Sequence, residues 1–360
     1  MPERDTGLNQ KPQINISRPT SVRMWLVFIC SFLAVLQSAL SDSGASLVVA
    51  LCALCPAVLT ELLVTHGKDG FAKIKDGSAA ASAMVFALLL PNRIPPVYAV
   101  LGAVFAIAVV KHSFGGLGSN WLNPGIGGWL FLRFSWPEVF SKALAGSPLA
   151  LVSESMRNGF AEPRNSPLGL IRLSGAGDFS GGALDARVSA FLNDTVFSFF
   201  GAELPSGYID LLVSGGAPGI IADRGILALL LGTLVITALE VSRSWIPAAY
   251  LGLFGILVRV FGDLPFEGLL FNGDVLFAFF SGATLAAAFI LMADPVTSAK
   301  SRAGILFTVL LGAFLSWVFR YRGLEFYGAF FAAALVNALT PLIRSFEGKW
   351  FYSRKQRVSQ

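Results

Sequence analysis

The chain has 360 residues, 54% of them hydrophobic and only 14% charged, with 31 Phe and 37 Gly. Soluble domains carry charge on about a quarter of their residues, so this composition excludes an ordinary soluble protein and points to a polytopic membrane protein. The net charge of +5 implies no nucleic-acid partner, because the basic residues sit in tails and loops, where membrane orientation accounts for them.

Residues 1–23 are polar and carry Arg4, Lys11, Arg18 and Arg23; no cleavable signal is expected, since the first apolar run has the length of a span. Taking about 20 apolar residues per span, and fewer where a helix is broken, about ten spans are expected. The first five lie near 24–40, 45–65, 78–91, 96–111 and 123–135, forming a membrane unit over 24–135. A polar connection, 136–223, follows. Its Gly, Ser, Asp and Pro clusters and the apolar patch Val188–Phe200 suit loops and short amphipathic helices against the membrane rather than a separate domain. The second five lie near 224–240, 245–261, 274–292, 303–319 and 326–343, a unit over 224–343. A basic tail, 344–360, ends the chain.

The third and fifth runs are short and edged by Gly or Pro: Asp76-Gly77-Ser78 and Pro91 for one, Asn123-Pro124 and Gly127-Gly128 for the other. In the second half, Ser281-Gly282-Ala283-Thr284 interrupts the run Val275–Met292, which leads to Pro295. Short, interrupted segments at matching places in two halves point to a site at the interface of two repeats. Five spans per half make those repeats inverted, so the expected fold is all-α, with two five-helix inverted repeats. Both termini are expected on the cytoplasmic side, where Lys68, Lys73, Lys75, Lys300 and Arg302 also fall; Arg320 and Arg322 fall on the opposite side.

Cys30, Cys52 and Cys55 lie in apolar runs and read as small packing residues. His66 and His112 stand apart, so no metal ligand set is visible. The Gly115-Gly116-Leu117-Gly118 loop lacks the preceding strand and the spacing of a dinucleotide fingerprint. Glu61, Asp76, Glu240 and Asp274 all fall near span ends, so none reads as a mid-membrane ion carrier. Asp294 reads either as a charge snorkelling at a span end or as part of a broken helix.

Four ordered stretches resemble the RnfD/NqrB family of membrane subunits, found in Rnf electron-transport complexes and in the sodium-translocating NADH:quinone reductase. They are Lys11-Pro12-Gln13-Ile14 through Arg23-Met24-Trp25, Asp76-Gly77-Ser78-Ala79 to Pro91, Lys111 through Asn120 with Asn123-Pro124, and Ser281-Gly282-Ala283-Thr284 through Asp294-Pro295-Val296-Thr297. The resemblance implies a membrane component of an Rnf-type complex in the bacterial inner membrane, relaying electrons and coupling their transfer to Na+ or H+ movement. Such a component is no autonomous enzyme. The resemblance also implies FMN joined to Thr284 by a phosphoester bond placed by a flavin transferase, with Ser281, Gly282 and Ala283 completing the attachment motif. A second, non-covalent flavin, the other subunits of the complex and membrane lipid are the further partners implied. The chain departs from the family pattern at Gly125, at Arg344 and in Ala79–Ala83. On the residues alone two rivals stay open: a channel or transporter of the same architecture without a redox cofactor, and Ser281–Thr284 as a small-residue packing face.

Overall fold

The computed structural model describes residues 19–65, 74–116, 118–145, 183–200, 204, 207–213, 219–239, 243–261, 270–271, 273–322 and 327–358. His66, Lys68, Lys73, Glu240 and the first resembling residues, 11–14, lie outside them. Among the described residues the regular structure is helical, apart from one antiparallel bridge, Pro91 to Ile220.

Helices occupy the apolar runs in order. In the first half these are α1 (Thr20–Ser41), α2 (Ala45–Val64), α3 (Ser78–Leu88), α4 (Pro96–Phe105) and α5 (Pro124–Ser135). The connection contributes α6 (Pro137–Leu144), α7 (Ala183–Leu192), α8 (Tyr208–Val213) and α9 (Ile221–Arg224). The second half holds α10 (Ile226–Ala238), α11 (Trp245–Phe261), α12 (Val275–Phe279), α13 (Thr284–Ala286), α14 (Arg302–Trp317) and α15 (Gly328–Val358). Four of them run on as wider π-type turns: α4 through Ala106–His112, α7 through Asn193–Phe197, α13 through Ala287–Leu291 and α14 through Val318–Arg322.

Among the described residues, four stretches are long and apolar enough to cross a bilayer: Thr20–Ser41, Ala45–Val64, Arg302–Tyr321 and Gly328–Lys349. At 1.5 Å per residue, the 22 residues of α1 span about 33 Å, enough for a hydrocarbon core of about 30 Å. Their outward faces carry large exposed apolar side chains, such as Leu59 and Leu63 on α2 and Phe307 and Phe314 on α14. In water such a belt would aggregate; in lipid it is solvated. The chain is therefore an all-α, multi-pass membrane protein.

Helix α1 packs along α2, α3, α9 and α10 and so joins the two halves. It is anchored at both ends. Near its start, the Trp25 indole covers Gly77 and donates to the Lys75 carbonyl at 3.1 Å. Near its finish, Asp42 meets Asn92, whose Nδ2 donates to it at 3.2 Å, and Arg224. Close packing relies on missing side chains: a Cβ on Gly225 would lie 2.3 Å from the Ala34 carbonyl oxygen. On the far side of α5, Trp129 is buried against Phe330 and Phe331 of α15, a second apolar tie between halves.

Candidate functional site

The span expected over 274–292 is two helical pieces separated by Phe280–Ala283. Asp274 caps the first piece, accepting from the Phe277 amide at 2.9 Å. The chain then turns through left-handed conformations at Gly282 (φ 66°) and Ala283 (φ 51°) before α13 begins at Thr284. Small residues are required here because a larger Cβ in this region collides with its own backbone. A break of this kind strands backbone carbonyls inside the protein, and each must find a donor.

The donor is Arg320, from the π-type turns that end α14. It is 5% exposed. Its Nη1 donates to the Ala278 carbonyl at 2.9 Å, the Ser281 carbonyl at 3.1 Å and Thr284 Oγ1 at 3.2 Å, while Nη2 donates to Ser281 Oγ at 2.5 Å. Asp223 of α9 approaches from the other side, accepting from the amides of Gly282 at 3.1 Å and Ala283 at 2.6 Å. Arg320 lies within its electrostatic reach. The sequence expectation placed Arg320 in a loop on the side disfavoured for positive charge. The structure removes it from any loop, so it does not count against the orientation.

Thr284, expected to carry FMN, is 2% exposed. Its hydroxyl has the Ala278 and Ser281 carbonyl oxygens within 2.8 and 2.9 Å and accepts from Arg320. Ser281 is equally buried and donates to the Phe277 carbonyl. Gly282 and Ala283 supply the turn. The four residues are thus brought together, with the Thr284 hydroxyl buried among two carbonyls and the Arg320 guanidinium.

Thr284 leads by way of Ala287–Leu291 to the second landmark, Asp294. This residue does not snorkel at a span end. Its carboxylate accepts from Asn123 Nδ2 at 3.0 Å, the Val296 amide at 3.0 Å and Thr297 Oγ1 at 3.2 Å. Burial pushes its carboxyl up from the ordinary range, opposed by those donors and by Arg344. Asn123 also caps α5 through the Gly125 amide, at 2.9 Å, so one side chain ties the start of α5 to the end of the broken span. Two departures from the family pattern find their reasons here. Arg344 donates to the carbonyls of Val296 (2.6 Å) and Ser298 (2.6 Å). A Cβ on Gly125 would lie 3.0 Å from Val85 and 3.1 Å from the Phe86 amide.

Between the halves at this end lies a cavity of about 510 Å³, walled by Met24, Val27, Val85, Phe289 and Ile290 and edged by Arg23, Asn120 and Asp294. Its size and mixed lining suit a flat heterocycle with polar edges.

Lys111 borders the same cavity and forms a cluster that the sequence did not disclose. It is 2% exposed, and its Nζ donates to Glu61 Oε2 at 2.9 Å and to Ser78 Oγ at 2.7 Å. His112 Nε2 lies 2.8 Å from the same Glu61 oxygen. Ser78 follows the left-handed Gly77 (φ 71°), and the Asp76 carboxylate accepts from its amide at 2.7 Å. The signal was a Lys and a Glu each ending an apolar run, but nothing in their 50-residue separation pairs them.

A family model described as the NQR2, RnfD, RnfE family matches residues 8–352. The chain is 28% identical over 342 residues to the D-type component of the proton-translocating ferredoxin:NAD(+) oxidoreductase complex of Clostridium ljungdahlii, covering 94% of this chain and 93% of that protein. It is 31% identical over 350 residues to the D-type component of the ion-translocating oxidoreductase complex of Shewanella denitrificans, covering 93% and 95%. The corresponding protein of Aeromonas hydrophila is 29% identical over 357 residues, covering 94% and 96%.

Proposed function

The chain belongs to the NQR2, RnfD, RnfE family, and from that premise we propose that it is the D-type membrane component of an Rnf-type complex, coupling electron transfer to the movement of Na+ or H+. The observation that carries this is similarity along nearly the whole chain to D-type components of ion-translocating oxidoreductases. The partners are the remaining subunits of that complex, embedded with it in lipid. In the relative from Clostridium the reaction runs between ferredoxin and NAD+, and the same pair is the starting assay here. Membranes lacking this chain should lose ferredoxin-dependent NAD+ reduction and the accompanying ion uptake, and regain both on complementation. Full activity without it would refute the assignment.

The architecture that goes with this reading is ten spans in two inverted repeats within the bacterial inner membrane, both termini cytoplasmic. Matching devices support it. Each half has a left-handed break ahead of a short helix, at Gly77 and at Gly282-Ala283. Each has a buried cation, Lys111 or Arg320, in π-type turns that end the next long helix. They lie at opposite ends of the bundle, as an inverted repeat requires. On the same reading, the connection 136–223 lies outside.

Flavin is the cofactor class that this function calls for, since it exchanges electrons singly or in pairs. A non-covalent flavin fits the cavity beside Phe289 and Ile290, with Arg23 and Asn120 at its polar rim. The second placement, FMN on Thr284 by way of a flavin transferase, rests on the Ser281–Thr284 and Asp294–Thr297 motifs, and it requires attachment before the break closes around the hydroxyl. In-gel fluorescence decides it, with the transferase co-expressed. A fluorescent wild-type band that disappears in Thr284→Val establishes the tether. A dark wild-type band, or a band unchanged in the mutant, removes it.

A further inference from the structure

On the reading that Thr284 carries FMN, we infer that Arg320 is the positioning residue of that tether: its guanidinium fork holds the break together once the Thr284 hydroxyl has given up its proton. In the unmodified chain the hydroxyl has two carbonyl oxygens in reach, Ala278 at 2.8 Å and Ser281 at 2.9 Å. Attachment removes that donor. The O–H bond gives way to an Oγ–P bond, the proton leaves to solvent, and an activated flavin phosphate loses its leaving group with the electron pair. Both carbonyls then need another donor, because a buried polar group without a partner is costly. Arg320 Nη1 already donates to the same two oxygens, at 2.9 and 3.1 Å. It also donates to Thr284 Oγ1 at 3.2 Å, and an ester oxygen still accepts although it no longer donates.

Charge follows the same logic. A phosphodiester carries one negative charge, and a charge in a buried place needs a counter-ion at hand. The Arg320 guanidinium, 5% exposed, stands 3.2 Å from the point of attachment. Asp223 balances Arg320 while the hydroxyl is free, and the amides of Gly282 and Ala283 continue to hold that carboxylate when the guanidinium is shared. The first half supplies the contrast. Lys111 Nζ donates to Glu61 Oε2 and Ser78 Oγ, and among the described residues to no carbonyl of its own break. A compact ammonium paired with a carboxylate suits a hydroxyl that stays a hydroxyl. A planar fork whose nitrogens reach two carbonyls and two side-chain oxygens suits one that does not. The fork sets the second break apart, and arginine rather than lysine is required there.

The test crosses Arg320 with attachment. The full-length chain is produced with and without a flavin transferase, purified in detergent, scored for flavin by in-gel fluorescence and melted by circular dichroism. In the wild type, attachment should leave the midpoint within about 2 °C of the unmodified protein, or raise it. In Arg320→Gln, which removes the charge and the fork, the attached protein should melt about 5 °C or more below the unattached one, since neither hydroxyl nor guanidinium then serves the carbonyls. Arg320→Lys, which keeps the charge alone, should show about half of that drop. Equal midpoints with and without flavin in Arg320→Gln overturn the inference, because a merely structural arginine costs the same in both. Where Arg320→Gln gives no folded or no fluorescent protein, Arg320→Lys decides by the same comparison: a drop supports the inference and equal midpoints overturn it. Failure of both variants to give folded, fluorescent protein beside a fluorescent wild type also overturns it, placing Arg320 in folding or in the attachment reaction and not in holding the product. A dark wild-type band, with the transferase active on another substrate, removes the attachment and this inference with it. A fluorescent wild type that responds to attachment as the variants do removes the inference alone.

Discussion

Replacing Lys111 with methionine tests how the first half is held together. Lys111 and Glu61 are each 2% exposed, and their charged atoms are 2.9 Å apart. At an effective dielectric constant of about 20, that pair is worth roughly 6 kcal/mol of attraction before desolvation is subtracted. Methionine matches the aliphatic stem, so packing is nearly preserved, but the Glu61 carboxylate is left buried without its ammonium. Breaking one side of such a pair costs about 3–5 kcal/mol, and Ser78 Oγ loses its 2.7 Å donor as well. Glu61→Gln/Lys111→Met should cost clearly less than the sum of the two single changes, with a coupling of about 2 kcal/mol, because no charge is then stranded. Detergent melting of the four proteins measures this. His112 shares the same oxygen, so the cycle is repeated in a His112→Gln background, where the coupling should grow. Additivity within about 0.5 kcal/mol in both backgrounds would refute the buried-pair account.

Three further outcomes follow from local geometry. Gly225→Ala places a Cβ 2.3 Å from a backbone oxygen of α1 and should cost about 1–3 kcal/mol in melting experiments, whereas Gly252→Ala meets nothing within 4 Å and should be neutral or slightly stabilising. Ala283→Gly should stabilise the break by up to about 1 kcal/mol, since Ala283 has a φ of 51° and glycine takes that conformation without penalty; a loss of stability would show that the methyl group packs usefully. Asn123→Ala should free Asp294 from the start of α5 and lower retention of any flavin bound in the cavity, read as flavin released per protein on gel filtration, while Asn193→Ala, far from the cavity in the connection, should leave retention unchanged.

Much of this fold was legible from run length alone. Apolar stretches with Gly or Pro at their edges located most of the long helices to within a few residues, because a lipid-facing helix must be apolar along its length and its ends need turn chemistry; α15, which runs on to Val358 through the residues expected as a tail, and the short helices of the connection were not bounded that way. Ser281–Thr284 was legible as an interruption of a bulky run within one expected span; the turn that Gly282 and Ala283 make there was not read. What could not be read was which charge enters which break. Arg320 stands 36 residues from Thr284 and 39 from Ser281. In sequence it is one of two arginines after a span, identical in appearance to a snorkelling loop residue. Lys111 sits beside a Gly-rich loop, which drew attention to the loop and away from the ammonium. Thr284 stands at the break that Arg320 enters, and its motif gave no sign of the two carbonyls and the guanidinium that surround its hydroxyl.

The burial of Arg320 also bears on how the chain is oriented. Counting positive charges assigns sides only when those charges are in the loops, where they feel the membrane surface. Arg320, read as a loop residue, opposed cytoplasmic termini; as the partner of Asp223 and of four oxygens in the break, it belongs to the protein interior and carries no weight in that count. Lys75, Lys300 and Arg302 gather at the end of the bundle where α1 begins and where Asp294 is held by Asn123, while Arg93 stands at the other end, next to the Asn92 that meets Asp42. The cavity lies at the Lys-rich end, with Arg23 and Lys300 in its lining. In the proposed orientation it therefore faces the cytoplasm, where a soluble electron donor or acceptor would be met, whereas Arg320 and the break at Ser281–Thr284 lie toward the opposite face.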